Sequence, residues 1–119
     1  MSVRRQDFGV TFTVHAGTTK TLELTILDPD TGSAKSLTDT NVYSSGVAKI
    51  YRPDGTQVGV NMTVTYSDRA NGKVYFTVSS GSQTASANAG NWIGEIEFIN
   101  SASLVVDQQS FNIDIKQNY

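Results

Sequence analysis

Few residues in this chain have the type and spacing that chemistry requires. Glu95 and Glu97 stand two apart, and Glu23 occupies a comparable stretch further upstream. A pair of carboxylates is what acid–base cleavage of a glycosidic bond would use. In an extended segment both fall on one face, opposite Trp92, Ile96 and Phe98. Nothing nearby in sequence would raise either pKa, so they read as solvated charges. Asp28, Asp30 and Gly32 have the opening spacing of a calcium loop. The residues that follow, Ser33, Ala34 and Lys35, supply no closing carboxylate, and Lys35 opposes a cation. With Pro29 between the aspartates the segment reads as a tight turn. His15 is the only histidine, at a strand end with outward parity, so neither a multi-histidine metal site nor a histidine-centred triad can be assembled. Trp92 could be a platform for a sugar ring, but its parity places it in the core. Tyr43, Tyr51, Tyr75 and Tyr119 read as surface contacts, because aromatic residues are enriched at interfaces. Tyr75 shares an outward face with Lys73. No nucleophile–base pair emerges, so the expectation is a protein that is not an enzyme and takes no metal and no cofactor.

The elements that carry these residues are strands. Gly90–Ile99 alternates Trp92, Ile96 and Phe98 with Ile93, Glu95, Glu97 and Ile99, and the face without carboxylates is the one to bury. After the polar Asn100–Ser103 turn, Leu104 and Val106 share one parity, whereas Phe111, Ile113 and Ile115 share the other. A bulge near Gln108–Ser110 would put both sets on one face. Upstream, Phe8, Val10, Phe12 and Val14 alternate with polar residues, as do Leu22, Leu24 and Ile26. Residues 33–45 read as a long connection between two sheets, with Leu37 and Val42 as its apolar anchors. Ala48 and Ile50 mark a third strand that ends at the Pro53-Asp54-Gly55 turn. Val58, Val60, Met62, Val64 and Tyr66 share one parity over a long fourth strand. Val74, Phe76 and Val78 define a fifth, and residues 80–88 read as a polar crossover with one helical turn. Seven strands at short spacing predict an all-β chain, a seven-stranded immunoglobulin-like antiparallel β-sandwich. Its core is expected to include Phe12, Leu24, Ile50, Phe76, Trp92, Ile96, Phe98, Phe111 and Ile113.

The 119 residues are expected to form one domain over residues 8–115, with an N-terminal arm of residues 1–7 and a C-terminal tail of residues 116–119. A net charge of −2 with scattered basic residues argues against nucleic acid as a partner. Without cysteine there is neither a disulfide framework nor thiolate chemistry. No apolar run is long enough to span a membrane, and the charged N-terminus lacks the apolar stretch of a secretory signal. The expectation is a soluble chain made in the cytoplasm, with no membrane partner.

The order of the signals resembles a known family. The segments are Thr19-Lys20-Thr21-Leu22-Glu23-Leu24-Thr25-Ile26-Leu27-Asp28, Lys49-Ile50-Tyr51-Arg52-Pro53-Asp54-Gly55-Thr56, Asn71-Gly72-Lys73-Val74-Tyr75-Phe76 and Ala89-Gly90-Asn91-Trp92-Ile93-Gly94-Glu95-Ile96-Glu97-Phe98. From about Phe8 to Ile115 the chain is similar to the immunoglobulin-like N-terminal domain of bacteriophage upper-baseplate proteins, a domain also found in other tail, fibre and virion parts. Two departures stand out. The family domain usually heads a longer chain, and its loop before the last hairpin usually carries a leucine and acidic residues, which Ser80–Asn88 lacks. The resemblance implies a free-standing adaptor or decoration unit of a phage particle, at the baseplate, tail, fibre base or capsid surface. Its partners would be other phage structural proteins in a homo-oligomeric or multi-copy assembly, with the virion as its location. Arg4, Arg5, Tyr75 and Tyr119 are the expected interface residues, and both tails are expected to be ordered by neighbouring chains. The rival expectation is a carbohydrate-binding module of a cell-surface adhesin, with Trp92 or the tyrosines stacking on sugar.

Overall fold

The computed structural model describes residues 7–117, so Arg4, Arg5 and Tyr119, and most of the ordering expected of both tails, lie outside the described residues, while Lys116, expected in the C-terminal tail, ends the last strand. Its strands are β1 (Asp7–His15), β2 (Lys20–Thr25), β3 (Ser45–Tyr51), β4 (Met62–Thr63), β5 (Thr65–Asp68), β6 (Lys73–Val78), β7 (Gly90–Ile99) and β8 (Val105–Lys116). They form two sheets, one ordered β1-β8-β7-β3-β4 and the other β2-β6-β5, packed as a sandwich. All neighbours are antiparallel except β1 and β8, which run parallel from Asp7 beside Ser110 to His15 beside Lys116.

The alternation read from sequence is what builds these layers. Leu22 and Leu24 of β2, Val74, Phe76 and Val78 of β6, and Ala48 and Ile50 of β3 are all buried. So are Ile96 and Phe98 of β7 and Phe111, Ile113 and Ile115 of β8. Two aromatic clusters fill the interior. Phe111 lies with its ring centroid 5.2 Å from Phe76 and 5.6 Å from the half-buried Phe12. Phe98 meets Tyr43 edge-on at 5.6 Å and stacks on Tyr66 at 6.1 Å. Edge-to-face and offset contacts at these separations are the favourable geometries for aromatic quadrupoles. Gly94 sits opposite Phe111 in the β7–β8 ladder, and a Cβ there would collide with the phenyl ring. The core needs glycine at that position.

The structure corrects several sequence expectations. The single strand expected over Val58–Tyr66 is two short ones that change sheet between Thr63 and Thr65, with β4 pairing to β3 and β5 to β6. Gly59 (φ 74°) turns the chain just before it, so Val60 is 67% exposed although Val58, Met62 and Val64 are buried. The irregularity between β7 and β8 lies at Val106, between the Phe98–Asp107 and Ile99–Val105 pairs, and not at residues 108–110. Leu104 lies in the turn before β8 and points outward, whereas Val106 packs against the core. Tyr43, expected at the surface, is buried, whereas Val42, expected as an anchor, is exposed.

Candidate interaction surface

Polar groups inside the sandwich are committed to its architecture. Gln109 is buried on the inner face of β8, where its carboxamide accepts from Leu27 N–H at 3.0 Å and donates to Thr25 C=O at 3.2 Å. It ties the five-stranded sheet to the end of β2. Gln83 is equally buried; it accepts from Ser79 N–H at 2.9 Å and donates to Val60 C=O at 2.7 Å. Thr84 donates its hydroxyl to Thr18 C=O at 2.6 Å. The polar crossover of residues 80–88 thus hides two buried anchors that no apolar pattern could have announced. A long stretch with few apolar residues that has to pass from one sheet to the other is the available signal, because its backbone must find partners.

The end of the sandwich that carries the β7–β8 hairpin presents apolar side chains outward. Leu104 is 63% exposed, Val105 39% and Val42 36%. The hairpin that holds Leu104 is tightly built. Asn100 accepts through its side chain from Ala102 N–H at 3.0 Å and Leu104 N–H at 2.9 Å. Its own N–H donates to Leu104 C=O at 2.9 Å. Ser103 takes a left-handed φ of 64° to close the turn, a conformation uncommon outside glycine. Ser101 N–H then donates to Asn41 C=O at 2.9 Å, which fixes the connection bearing Val42 beside the hairpin. That connection is itself pinned by Arg69, whose guanidinium donates to Leu37 C=O at 2.9 Å and Tyr43 C=O at 3.1 Å while lying 3.7 Å from the Tyr66 ring centre. Tyr66 donates its hydroxyl to Tyr43 C=O at 2.9 Å, and burial raises its pKa.

At the other end, Trp92 is half-buried against the rim of the core rather than within it. Its indole N–H donates to Asn88 C=O at 2.7 Å, and the Arg52 guanidinium lies 5.3 Å over its ring. Arg52 also donates to Asn88 Oδ1 at 2.8 Å. The ring is therefore already stacked on a cation of the same chain.

The remaining chemistry-bearing residues stay apart. Glu97 pairs with Lys49 at 3.0 Å on the outer face of the five-stranded sheet, and this hydrogen bond, against a smaller opposing effect of burial, raises the lysine's pKa. Glu95 lies across from Lys49 in the ladder, while Glu23 is on the other sheet, opposite Tyr75. Asp28 closes its own turn, accepting from Asp30 N–H at 2.8 Å and, through its carbonyl, from Gly32 N–H at 2.8 Å. His15 is exposed at the end of β1. Among the described residues no three Asp, Glu or His side chains converge on a point that could hold a metal ion. Tyr75 is half-buried on the outer face of β6, at a cleft of about 300 Å³ between β4 and β6. Tyr51 is half-buried on the outer face of β3.

No family model and no curated protein matches the chain. Among solved structures it is similar to the ZIG-8–RIG-5 IG1–IG1 heterodimer (monoclinic form), with a TM-score of 0.40 and 12% identity over 92% of this chain and 84% of that one. A similarity that loose leaves the connectivity to be read from the strands themselves.

Proposed function

We propose that the chain is a non-enzymatic, immunoglobulin-like adaptor or decoration unit of a bacteriophage particle, docking on a larger scaffold of the baseplate, tail, fibre or capsid surface. The strand order supports the immunoglobulin part. The run β8-β7-β3-β4 facing β2-β6-β5 matches the G-F-C-C′ and B-E-D sheets of a variable-type immunoglobulin domain. The phage part rests on the resemblance in the order of sequence motifs. The observation that carries the docking reading is the hairpin end, where Leu104, Val105 and Val42 are exposed on backbone held by the hydrogen bonds of Asn100 and Ser101. Backbone held in advance leaves less to be ordered when a partner covers it, which is how preorganised surfaces gain affinity.

Mass spectrometry of purified particles should find the chain in many copies. Leu104→Asp combined with Val105→Asp should lower the copies per particle by roughly tenfold or more, as expected for charges placed in an interface centre. The urea midpoint of the isolated chain should stay close to that of the wild type. Absence from particles, or normal incorporation of the double variant, would overturn the reading.

A further inference from the structure

The cleft between β4 and β6 differs in composition from the surface around it. None of the residues lining it is charged, in a chain of which 17% is Asp, Glu, Lys or Arg. Asn61, Thr63, Thr65, Thr77 and Ser82 bring amide and hydroxyl groups to its walls, and Tyr75 brings the aromatic ring. Thr65 is the cross-strand partner of Tyr75 on the β5 side and Thr77 is two residues along on the same face of β6, so hydroxyls flank the ring on the cleft side, while Glu23 and Lys73, its other neighbours on that face, do not line the cleft. Ser82 Oγ accepts from Val60 N–H at 3.0 Å and Asn61 Oδ1 accepts from Gln57 at 2.6 Å. Both groups keep hydrogens to donate.

An added peptide strand does not fit this opening. Ile26 N–H donates to Gly72 C=O at 2.7 Å, which sets the rungs of the β2–β6 ladder. Val74, Phe76 and Val78 then direct their backbone groups at β2, and Tyr75 and Thr77 direct theirs away from it. The Thr21 and Thr77 hydroxyls, 3.0 Å apart, fit the closer side-chain spacing of a pair that exchanges no backbone bonds. On the outward side Tyr75 already meets Thr65 of β5, and Ser79 N–H already meets the Gln83 carboxamide. Thr77 alone lies between them. One rung is too short for strand addition, which draws its affinity from a row of main-chain bonds.

We propose that this cleft binds a neutral saccharide, with a ring C–H face against Tyr75 and hydroxyls on Asn61, Thr63, Thr77 and Ser82. A pyranose offers an apolar face with a hydroxyl rim, which is the pattern that this cleft presents. A charged ligand would meet no counter-charge among the lining residues. The volume lies at the small end of ligand clefts, about 300–1,000 Å³ in general, and suits a sugar ring rather than an extended chain. The inference does not depend on the adaptor reading, and particle incorporation is not its test.

The test is an amide NMR titration of the full chain with glucose, galactose, N-acetylglucosamine and their uncharged trisaccharides. A blocked, uncharged Thr-Val-Thr-Val peptide serves as the comparator. At least one sugar should produce saturable shifts confined to the amides around Thr63, Thr65, Tyr75, Thr77 and Ser82. Tyr75→Ala should weaken binding roughly tenfold, with Tyr75→Phe close to the wild type. Thr77→Val, at an exposed position, provides a second variant whose fold is not at risk, and it should weaken binding several-fold. No saturable shift up to about 50 mM of any sugar, tighter binding of the peptide, or wild-type binding by both Tyr75→Ala and Thr77→Val would overturn the proposal.

Discussion

The two halves of β8 show the same inner face serving two different neighbours. From Phe111 to Ile115 that face is apolar, and across the interior it meets the ring of Phe76 on a regular strand. At Asp107 and Gln109 it is polar, and what lies across is the irregular segment that follows β2. There Gln109 bonds Thr25 and Leu27, and Asp107 bonds the ammonium of Lys35. The difference follows from what the opposite layer requires. A paired strand has satisfied its backbone and offers only side chains, so hydrocarbon meets hydrocarbon. A segment leaving its sheet exposes N–H and C=O groups that must be bonded if they are buried. At Gln109 the polarity of a core position thus follows from the irregular backbone facing it, while Asp107, nearer the surface, answers the charge of Lys35.

The largest loss of stability is expected in the apolar half. Gly94→Ala forces a methyl group into the Phe111 ring and should cost about 3 kcal/mol, at the upper end for overpacking, as measured by urea titration. Gln109→Leu fills a similar volume but leaves Leu27 N–H and Thr25 C=O without partners. It should cost about 2–3 kcal/mol, since each buried orphan costs roughly 1–3 and water can relieve part of that. A Gln109→Leu variant as stable as the wild type would refute the role given to the opposite backbone.

Lys35→Met should cost less, about 1–2 kcal/mol, because both partners of its pair keep some access to water. Burial alone would lower the Lys35 pKa, but the Asp107 and Tyr43 contacts together outweigh it and hold the value above normal. A raised lysine pKa contributes stability in full below the unfolded value of about 10.4 and loses it as pH rises through the folded value. Urea midpoints measured upward from pH 9 should therefore fall further for the wild type than for Lys35→Met. The smallest effect belongs to the outer face of the same sheet. Glu97→Ala removes the pair with Lys49, which is about as exposed as the Lys35 pair but lacks an aromatic contact like that of Lys35 with Tyr43, and should cost about 0.5 kcal/mol in the same titration.

Much of the sandwich was legible because one face of each strand is apolar, and alternation reports that directly. Legibility failed wherever backbone geometry rather than side-chain pattern decided the outcome. The run from Val58 to Tyr66 keeps perfect parity, yet the left-handed turn at Gly59 and the change of sheet after Thr63 break it into pieces. The register shift at Val106 obeys the same logic, since either position for the extra residue would satisfy the parity of Phe111, Ile113 and Ile115. Gln83, Thr84 and Gln109 could not be singled out individually, because a buried carboxamide or hydroxyl answers to unpaired backbone elsewhere, which no local window contains. Of the surface positions, the outward face of Tyr75 could be inferred from its strand. Leu104 could not, because it belongs to the turn before β8, where strand parity no longer applies.

The parallel pairing of β1 with β8 has a mechanical consequence. These are the first and last strands among the described residues, and they lie side by side, starting at one end of the sheet and finishing at the other. Tension applied to the two ends of the domain would draw β1 and β8 in opposite directions along their common axis. Their shared hydrogen bonds would be loaded in shear, all at once, instead of being peeled open singly. A domain wired in this way resists stretching through its termini far better than it resists being unzipped from an edge.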